Sequence, residues 1–214
     1  MSETAVPLSN AWQTWSRFSR NPGAVIGRAI VVICVLAAVF AQYITPYPDH
    51  VGAVVDFRNR HQPPSWEHWF GTDNVGRDQF TRVIFGLQVS LTLAFVVLGI
   101  AVPFGTLMGL LAGYFGGWTE TIIMRLTDIA LAMPPLIMAL AVAAVLEPSL
   151  MNSMLAIASL WWTWHTRLIY SLVRQIRSQE YIEAAETLGA SRAHILFREI
   201  LPNCVSAIAV KTSL

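Results

Sequence analysis

The interval 83–119 contains no Asp, Glu, Lys or Arg side chain. A charge-free stretch of this length exceeds the ~20 residues with which a helix crosses the hydrocarbon core of a bilayer. Gly113, Gly116 and Gly117 predict a turn at its end. Over the whole chain 55% of residues are hydrophobic and 13% are charged, against roughly a quarter charged in soluble domains. These features predict an all-α fold, a polytopic bundle of transmembrane helices.

Further apolar runs predict the remaining spans. We expect a first transmembrane helix over 24–44 and a core over 83–214 with helices at about 85–111, 119–145, 151–172 and 200–214. The segment 1–23 is either an amphipathic approach to the membrane surface or a loosely ordered tail. The segment 45–82 contains four prolines and is the one sizeable loop outside the membrane.

Three glycines in the charge-free interval follow one another at four-residue spacing: Gly105, Gly109 and Gly113. This small-xxx-small arrangement lets two membrane helices approach closely. The spacing predicts a helix-packing face, which we favour over a ligand contact.

A polar, charged stretch over 178–203 separates two apolar runs. Ser178 is a predicted N-cap of a short helix, and Gly189 supplies a left-handed stop. Ser191 can cap a second helix that runs into Leu201 and Pro202, where the missing N–H predicts a boundary or kink. A partner other than lipid must contact this stretch.

The sequence Glu183-Ala184-Ala185, then Gly189 and Leu201-Pro202, resembles the EAA loop of ABC-importer permeases. One departure is Glu199, which stands where the family pattern has an apolar residue. The resemblance implies that the loop is cytoplasmic and docks on a separate ATPase subunit. The implied ATPase-docking residues are Tyr181, Glu183, Ala184, Ala185, Leu188, Gly189 and Ser191.

Two upstream motifs resemble the C-type permeases of dipeptide, oligopeptide and nickel importers. One is the GTDxxGRD sequence within 70–78, and the other is MRxxD at 124–128 followed by an apolar-Pro step at Pro134. From residue chemistry alone, Asp73, Arg77 and Asp78 can pair locally and cap the next helix, and this structural role is favoured over substrate binding. Pro134 indicates a kinked helix, either gating the path or merely bent.

Two polar groups within predicted spans also have alternative interpretations. Arg125 and Asp128 lie three positions apart, hence on one helical face, and a mutual pair would lower the cost of their charges. His165 follows several tryptophans and is either a proton-handling or metal group or, as we favour, an interfacial hydrogen-bonding residue.

The chain has no motif for chemistry of its own. A P-loop needs Gly-Lys-Ser/Thr, and the only lysine is Lys211, which follows Val210. No catalytic, cofactor-binding or metal residues are predicted, and the net charge of +1 gives no indication of nucleic-acid binding. The resemblance implies that ATP–Mg is bound by two partner ATP-binding subunits, alongside a homologous second permease subunit, an external solute-binding protein and the lipid bilayer.

Arginine distribution predicts the orientation, because positive residues are retained in the cytoplasm. With the N-terminus inside, seven arginines fall on the cytoplasmic side and four outside. The cytoplasmic set is Arg17, Arg20, Arg28, Arg174, Arg177, Arg192 and Arg198, and the external set is Arg58, Arg60, Arg77 and Arg82. Four crossings then bring 178–203 back to the cytoplasm of a bacterial inner membrane.

The expected function is therefore a permease subunit of an ABC importer for peptides or a related small solute. The alternatives are an exporter-type permease on the same fold or a non-transporting membrane scaffold. The run 200–214 is shorter than the ~20 residues needed to cross, and the resemblance implies a sixth span. We therefore expect a chain truncated relative to the family, or an incomplete gene product.

Overall fold

The computed structural model describes residues 21–213, and the predicted amphipathic segment 1–23 lies almost wholly outside them. The chain divides into two compact units, Met1–Thr92 and Leu93–Leu214. This division differs from the predicted boundary at 82–83, and each unit is described separately.

The described part of the first unit contains helix α1, Pro22–Val39, followed by the short helix α2, Ala41–Ile44. The Asn21 side chain accepts a hydrogen bond from the N–H of Gly23 at 3.0 Å, and Pro22 occupies the first helical position, where no N–H is needed. The predicted span 24–44 therefore begins two residues earlier and is interrupted at Phe40.

The loop that follows is ordered by tight turns, with 3₁₀ segments at Pro48–Val51 and Phe57–Asn59. Gly71 and Gly76 have φ angles of 73° and 86°, a region that favours glycine. A Cβ at Gly71 would collide with the carbonyl oxygen of Gln62, and one at Gly76 with that of Asp56. The two glycines of the GTDxxGRD sequence are thus required by the close approach of the backbone.

Asp73 organises the turn between these glycines. Its carboxylate accepts from the N–H groups of Val75 and Arg77, both at 2.9 Å, and contacts Arg77 Nε at 2.9 Å and Arg82 Nη1 at 2.6 Å. Burial acts to raise the pKa of Asp73, but these N–H donors and the Arg77 charge outweigh it and hold the pKa well below its ordinary value.

Asp78 caps the next helix, since its Oδ2 accepts from the Thr81 N–H at 2.7 Å. Its Oδ1 pairs with His68 Nδ1 at 2.9 Å, a partner that the sequence analysis did not identify. Burial acts to raise the pKa of Asp78, but the hydrogen bonds with Thr81 and His68 lower it by more. The net pKa lies below the ordinary aspartate value.

Helix α3, Gln79–Phe115, is longer than the predicted 85–111 at both ends. It begins earlier because Asp78 caps it, and it continues past Gly113 to a turn at Gly116, where φ is 66°. Gly113 was wrongly predicted to open this turn and instead lies inside the helix.

The predicted continuous span 119–145 is two helices, α4, Gly117–Ala132, and α5, Pro135–Val145, whose axes meet at 94°. Met133 is extended, with φ −96° and ψ 142°, as expected for a residue that precedes proline. Pro134 has no N–H with which to continue the helix. The proline therefore breaks the span rather than bending it slightly.

Helix α6, Leu150–Arg177, extends beyond the predicted end at 172. Three further elements complete the second unit: α7, Glu180–Thr187; α8, Arg192–His194, which continues through a π-helical segment at Ile195–Ile200; and α9, Leu201–Ser213. The last helix, from α8 to α9, does not start at Ile200 as predicted. Its 21 residues over Arg192–Thr212 are long and apolar enough to cross a membrane.

Within residues 21–213, three helices meet the length and hydropathy of a membrane span: α1, α3 and the last helix. The bent pair α4–α5 makes a fourth if its two arms count as one span.

One predicted polar contact is wrong, and a second polar residue is more buried than expected. Asp128 pairs with Arg167 of α6 rather than with Arg125. His165 is 2% exposed, and its Cβ lies against Gly105 of α3. Its ring nitrogens lie 3.4 Å from the Trp161 carbonyl oxygen and 3.5 Å from the Thr212 hydroxyl, so His165 is a buried residue with the hydrogen bonding that was predicted for it. Helix α6 turns His165 inward while Trp161 and Trp164, which precede it, stay exposed.

Candidate functional site

The candidate site is the short helix α7, which one side chain fixes to the second unit. Ile182 is fully buried. It belongs to a cluster of buried residues from α3, α6 and the last helix: Leu110, Tyr114, Ile169, Val173, Ile195, Leu196, Ile200 and Cys204. Full burial of an isoleucine side chain contributes about 1.5–3 kcal/mol. Ile182 therefore holds α7 against three longer helices.

The start of α7 differs from the prediction. Its N-cap is Gln179, and Ser178 instead caps the C-terminus of α6, with its Oγ donating to the Gln175 carbonyl at 2.9 Å. The Gln179 N–H donates to the carbonyl of Ile176 at 3.0 Å, which closes the preceding turn. The chain thus passes from α6 to α7 in two residues.

The end of α7 is a left-handed glycine cap. Gly189 has φ 80°, its N–H donates to the Glu186 carbonyl, and the Ala190 N–H donates to the Ala185 carbonyl, both at 3.0 Å. These are the two bonds of a Schellman motif. Ala190 then packs against the buried cluster, so that the cap fixes where the chain returns to the protein.

The remaining predicted docking residues lie on the outer surface of α7 and its cap. Leu188 is 87% exposed and Tyr181 is 45% exposed. Glu183 and Ala184 are exposed, Ala185 is half-buried, and Gly189 and Ser191 are exposed after the helix. A large apolar side chain such as Leu188, exposed beside a helix that is itself well anchored, is typical of a contact with another protein.

Ser191 starts the last helix by accepting a hydrogen bond from the His194 N–H at 3.2 Å. The helix then adopts the π form immediately before Pro202, where the sequence analysis expected a boundary or kink. Hydrogen bonds between residues five apart, such as Leu201 N–H to the Leu196 carbonyl, carry the helix past the proline, which can donate none.

Tyr181 connects α7 to this π-helical region. Its hydroxyl oxygen lies 3.4 Å from Asn203 Nδ2, which also donates to the Glu199 carbonyl at 2.6 Å. Burial, together with the nearby charge of Glu199, raises the pKa of Tyr181. The family departure at Glu199 thus lies in the same contact network as a predicted docking residue.

Sequence reasoning missed two contacts at the end of α3, one with α7 and one with the end of α6. The Tyr114 hydroxyl donates to Glu186 Oε1 at 3.3 Å, and the guanidinium of Arg177 lies 5.3 Å from the centre of the Tyr114 ring. Tyr114 and Glu186 are far apart in sequence, and no local pattern joins them. The packing of α7 on the second unit, with Ile182 and Tyr114 in one buried cluster, brings Glu186 of α7 close to the end of α3.

The predicted packing glycines belong to α3 and face α6. A Cβ at Gly105, Gly109 or Gly113 would come within 2.7 Å of the Cβ of His165, Ile169 and Val173, respectively. The Thr166 hydroxyl donates to the Gly105 carbonyl at 3.1 Å. Helices α3 and α6 therefore approach at backbone distance within the second unit.

Comparison with known families matches two regions of the chain. Residues 105–214 match the model of the binding-protein-dependent transport system inner membrane component. Residues 9–64 match the N-terminal transmembrane domain of oligopeptide transport permease C. This chain belongs to the family of binding-protein-dependent transport permeases. The first match contains the glycine face, α7 and the last helix, whereas the GTDxxGRD sequence lies between the two matched regions.

Several relatives resemble the permease over most of its described length. A dipeptide transport system permease protein of Alkalihalophilus pseudofirmus is 40% identical over 94% of this chain and 66% of its own length. A dipeptide transport system permease protein of Haemophilus influenzae is 34% identical over 99% of this chain and 72% of its own. A glutathione transport system permease protein of Pectobacterium atrosepticum is 36% identical over 92% of this chain and 64% of its own length. The permease thus spans slightly less than two thirds of the length of the first and third.

Within the described residues of the permease, no group of three or more His, Cys, Asp or Glu side chains is arranged to hold a metal ion. The clearest candidate site is α7, whose Ile182 side chain is buried in the second unit and whose Tyr181 side chain, with Leu188 just after the helix, is exposed. Such a surface is suited to mechanical contact with another protein.

Proposed function

We propose that this chain is a transmembrane permease subunit of an ABC importer and that α7 docks on a separate ATPase subunit. The observation that carries the proposal is the division of roles on α7. Ile182 is fully buried, while Leu188 is 87% exposed. A force applied to the outer surface of α7 therefore reaches the helices that hold Ile182.

The contacts of α7 support a coupled movement of the second unit. Ile182 packs against α3, α6 and the last helix, and Glu186 adds a hydrogen bond to Tyr114 at the end of α3. Closure of two ATPase subunits would displace α7 with these helix ends, and the resulting rocking would alternate access to the two sides of the membrane. Packed interfaces respond to such displacements as discrete rearrangements.

The partners follow from the permease family and from this mechanism. We propose a homologous second permease subunit, two ATP-binding subunits that hold ATP–Mg, an external solute-binding protein and the surrounding lipid. We propose no cofactor for this chain itself. The proposed location is a bacterial inner membrane with the N-terminus in the cytoplasm, which places the arginines near α7 on the cytoplasmic side.

The proposed solute class is small peptides. The relatives named above are dipeptide and glutathione permeases, and a peptide of two to three residues suits both names. The alternatives within the resemblance are longer peptides and nickel. The loop carboxylates Asp73 and Asp78 are engaged by their own hydrogen bonds, so a structural role is favoured for them over solute binding.

The test reconstitutes the permease with its partner subunits in vesicles. The rates of ATP hydrolysis and of peptide uptake are then measured with and without loaded binding protein. Leu188→Asp should abolish the stimulation of ATP hydrolysis by the binding protein, because a charge would enter an apolar contact. The matched control is Leu188→Met, which keeps an apolar side chain of similar volume at the same exposed position and should leave stimulation intact.

Three other outcomes would contradict the proposal. Normal stimulation in Leu188→Asp would show that α7 is not the docking element. Movement of peptide in the opposite direction would favour the exporter-type alternative. Assembly of the complex without any stimulation in the unsubstituted protein would favour a non-transporting scaffold.

A further inference from the structure

A cavity of about 410 Å³ lies between the end of α3, the end of α6 and the start of the last helix. Its lining includes two arginines, Arg177 and Arg192, two aromatic residues, Tyr114 and Phe115, and the carboxylate of Glu186. The volume lies in the range of small-molecule sites. Neither the family description nor the proposed docking role assigns anything to this cavity.

The aromatic residues position both guanidinium groups. Arg177 lies 5.3 Å from the centre of the Tyr114 ring, and Arg192 lies 5.9 Å from the centre of the Phe115 ring. The two rings meet edge to face at 5.3 Å. In the part of the chain that the structure describes, neither arginine forms an ion pair with a carboxylate, so both retain donors for an anionic group.

The position of the cavity along α3 indicates a membrane interface. Tyr114 and Phe115 are the last residues of α3, at the end of a long charge-free apolar run, and Trp118 just beyond them is 83% exposed. Aromatic side chains of membrane helices concentrate at the level of the lipid headgroups. Basic pockets between transmembrane helices bind headgroup phosphates.

Glu186 narrows the choice of ligand, since a carboxylate in the lining disfavours a purely anionic group. Its Oε1 accepts from Tyr114, and a carboxylate has room for further donors. We propose that this cavity binds the headgroup of an aminophospholipid. The phosphate lies between Arg177 and Arg192, and the primary ammonium group donates to Glu186.

This assignment predicts an order of preference among headgroups. Phosphatidylethanolamine satisfies both the arginines and the glutamate. Phosphatidylglycerol has the phosphate but no ammonium group, and phosphatidylcholine has a quaternary amine with no N–H to donate. Free inorganic phosphate would share the arginines but would lack both the ammonium group and the acyl chains.

The experiment measures lipid bound to the complex purified with its partner subunits, by native mass spectrometry after delipidation and titration with each of the three phospholipids. Arg177→Gln and Arg192→Gln should each weaken phosphatidylethanolamine binding by about fivefold, the effect of one cation near a headgroup. Glu186→Gln should reduce the preference for phosphatidylethanolamine and raise phosphatidylglycerol binding. Arg198→Gln, at an exposed arginine outside the lining, is the control and should change neither.

Lipid binding is read without ATP hydrolysis, so this result is independent of the proposed docking role. Equal binding of the three lipids, or no change in the two arginine variants, would overturn the proposal. Complete competition by millimolar inorganic phosphate would show that the cavity takes free phosphate instead. Loss of lipid binding only when the ATPase subunits are attached would show that a protein surface occupies the cavity.

Discussion

His194 and Glu199, five positions apart in one helix, lie on the same side of it, with His194 Nε2 and Glu199 Oε1 3.5 Å apart. In a regular α-helix, neighbours on one face are three or four positions apart. The π form of Ile195–Ile200 makes this pair possible. The His194–Glu199 contact thus spans the π segment, and Asn203 adds a hydrogen bond to the Glu199 carbonyl at 2.6 Å at its C-terminal end.

The first prediction separates these two contacts. Asn203→Leu removes the donor to the Glu199 carbonyl and should lower the free energy of unfolding by about 1 kcal/mol. Glu199→Gln keeps the carbonyl and changes only the partly exposed side-chain contact with His194, which should cost about 0–1 kcal/mol. Thermal unfolding of both variants in detergent checks the order. A larger loss in Glu199→Gln would show that the His194–Glu199 side-chain contact is the main one.

The second prediction concerns the glycine face. Gly109→Leu would push a side chain into Ile169, whose Cβ lies 2.7 Å from the position of the new Cβ, and should prevent α3 from packing on α6. The amount of folded protein recovered from membranes measures the effect. Gly99→Leu is the control on the same helix, since no heavy atom lies within 4 Å of its Cβ position. Equal recovery of both variants would contradict the close approach of the two helices.

The third prediction distinguishes the buried and exposed sides of α7. Ile182→Ala leaves a cavity among three helices and should lower the free energy of unfolding by about 2–5 kcal/mol. Leu188→Ala, at an 87% exposed position, should change stability by less than about 0.5 kcal/mol while weakening ATPase coupling. Paired measurements of thermal unfolding and stimulated ATP hydrolysis would show the separation. Destabilisation by Leu188→Ala would mean that Leu188 packs within this subunit.

The fourth prediction concerns pH and the loop of the first unit. The pKa values of Asp73 and Asp78 are both lowered in the folded loop, so their stabilising contribution is present above the ordinary value of 3.8 and is lost as the pH falls below it. Limited proteolysis with an acid-stable protease should therefore show the loop opening below about pH 3.8.

Asp73→Asn should make the loop susceptible at neutral pH as well, because the amide cannot replace the charge that binds Arg77 and Arg82. Asp49→Asn, at an exposed position in the same loop, is the control and should resemble the unsubstituted protein. Equal protection of the Asp73 variant at all pH values would contradict the role of this carboxylate.

Much of the helical order follows from the sequence, because apolar runs, caps and glycines act locally. Gly189 and Ser191 end and start helices as their residue types predict. The partner of Asp128 could not be predicted this way: Arg125 is near in sequence, but α6 brings Arg167 closer. Likewise Tyr181, Ile182 and Ala185 are all apolar candidates for burial on α7, and the surrounding helices determine that Ile182 is the one enclosed.

The break between α4 and α5 at Met133–Pro134 affects which surfaces of the protein acyl chains can contact. Helix α5 has 11 residues, hence a length of about 16 Å, roughly half of the ~30 Å hydrocarbon thickness. If α4 and α5 cross a bilayer as one span bent by 94°, the break at Met133–Pro134 lies within the hydrocarbon and leaves backbone groups there without helical partners. Lipid cannot satisfy such groups, so non-helical backbone at that depth requires a polar surface of protein or a water-filled space. In that arrangement acyl chains are excluded from the corner, and water or protein covers it.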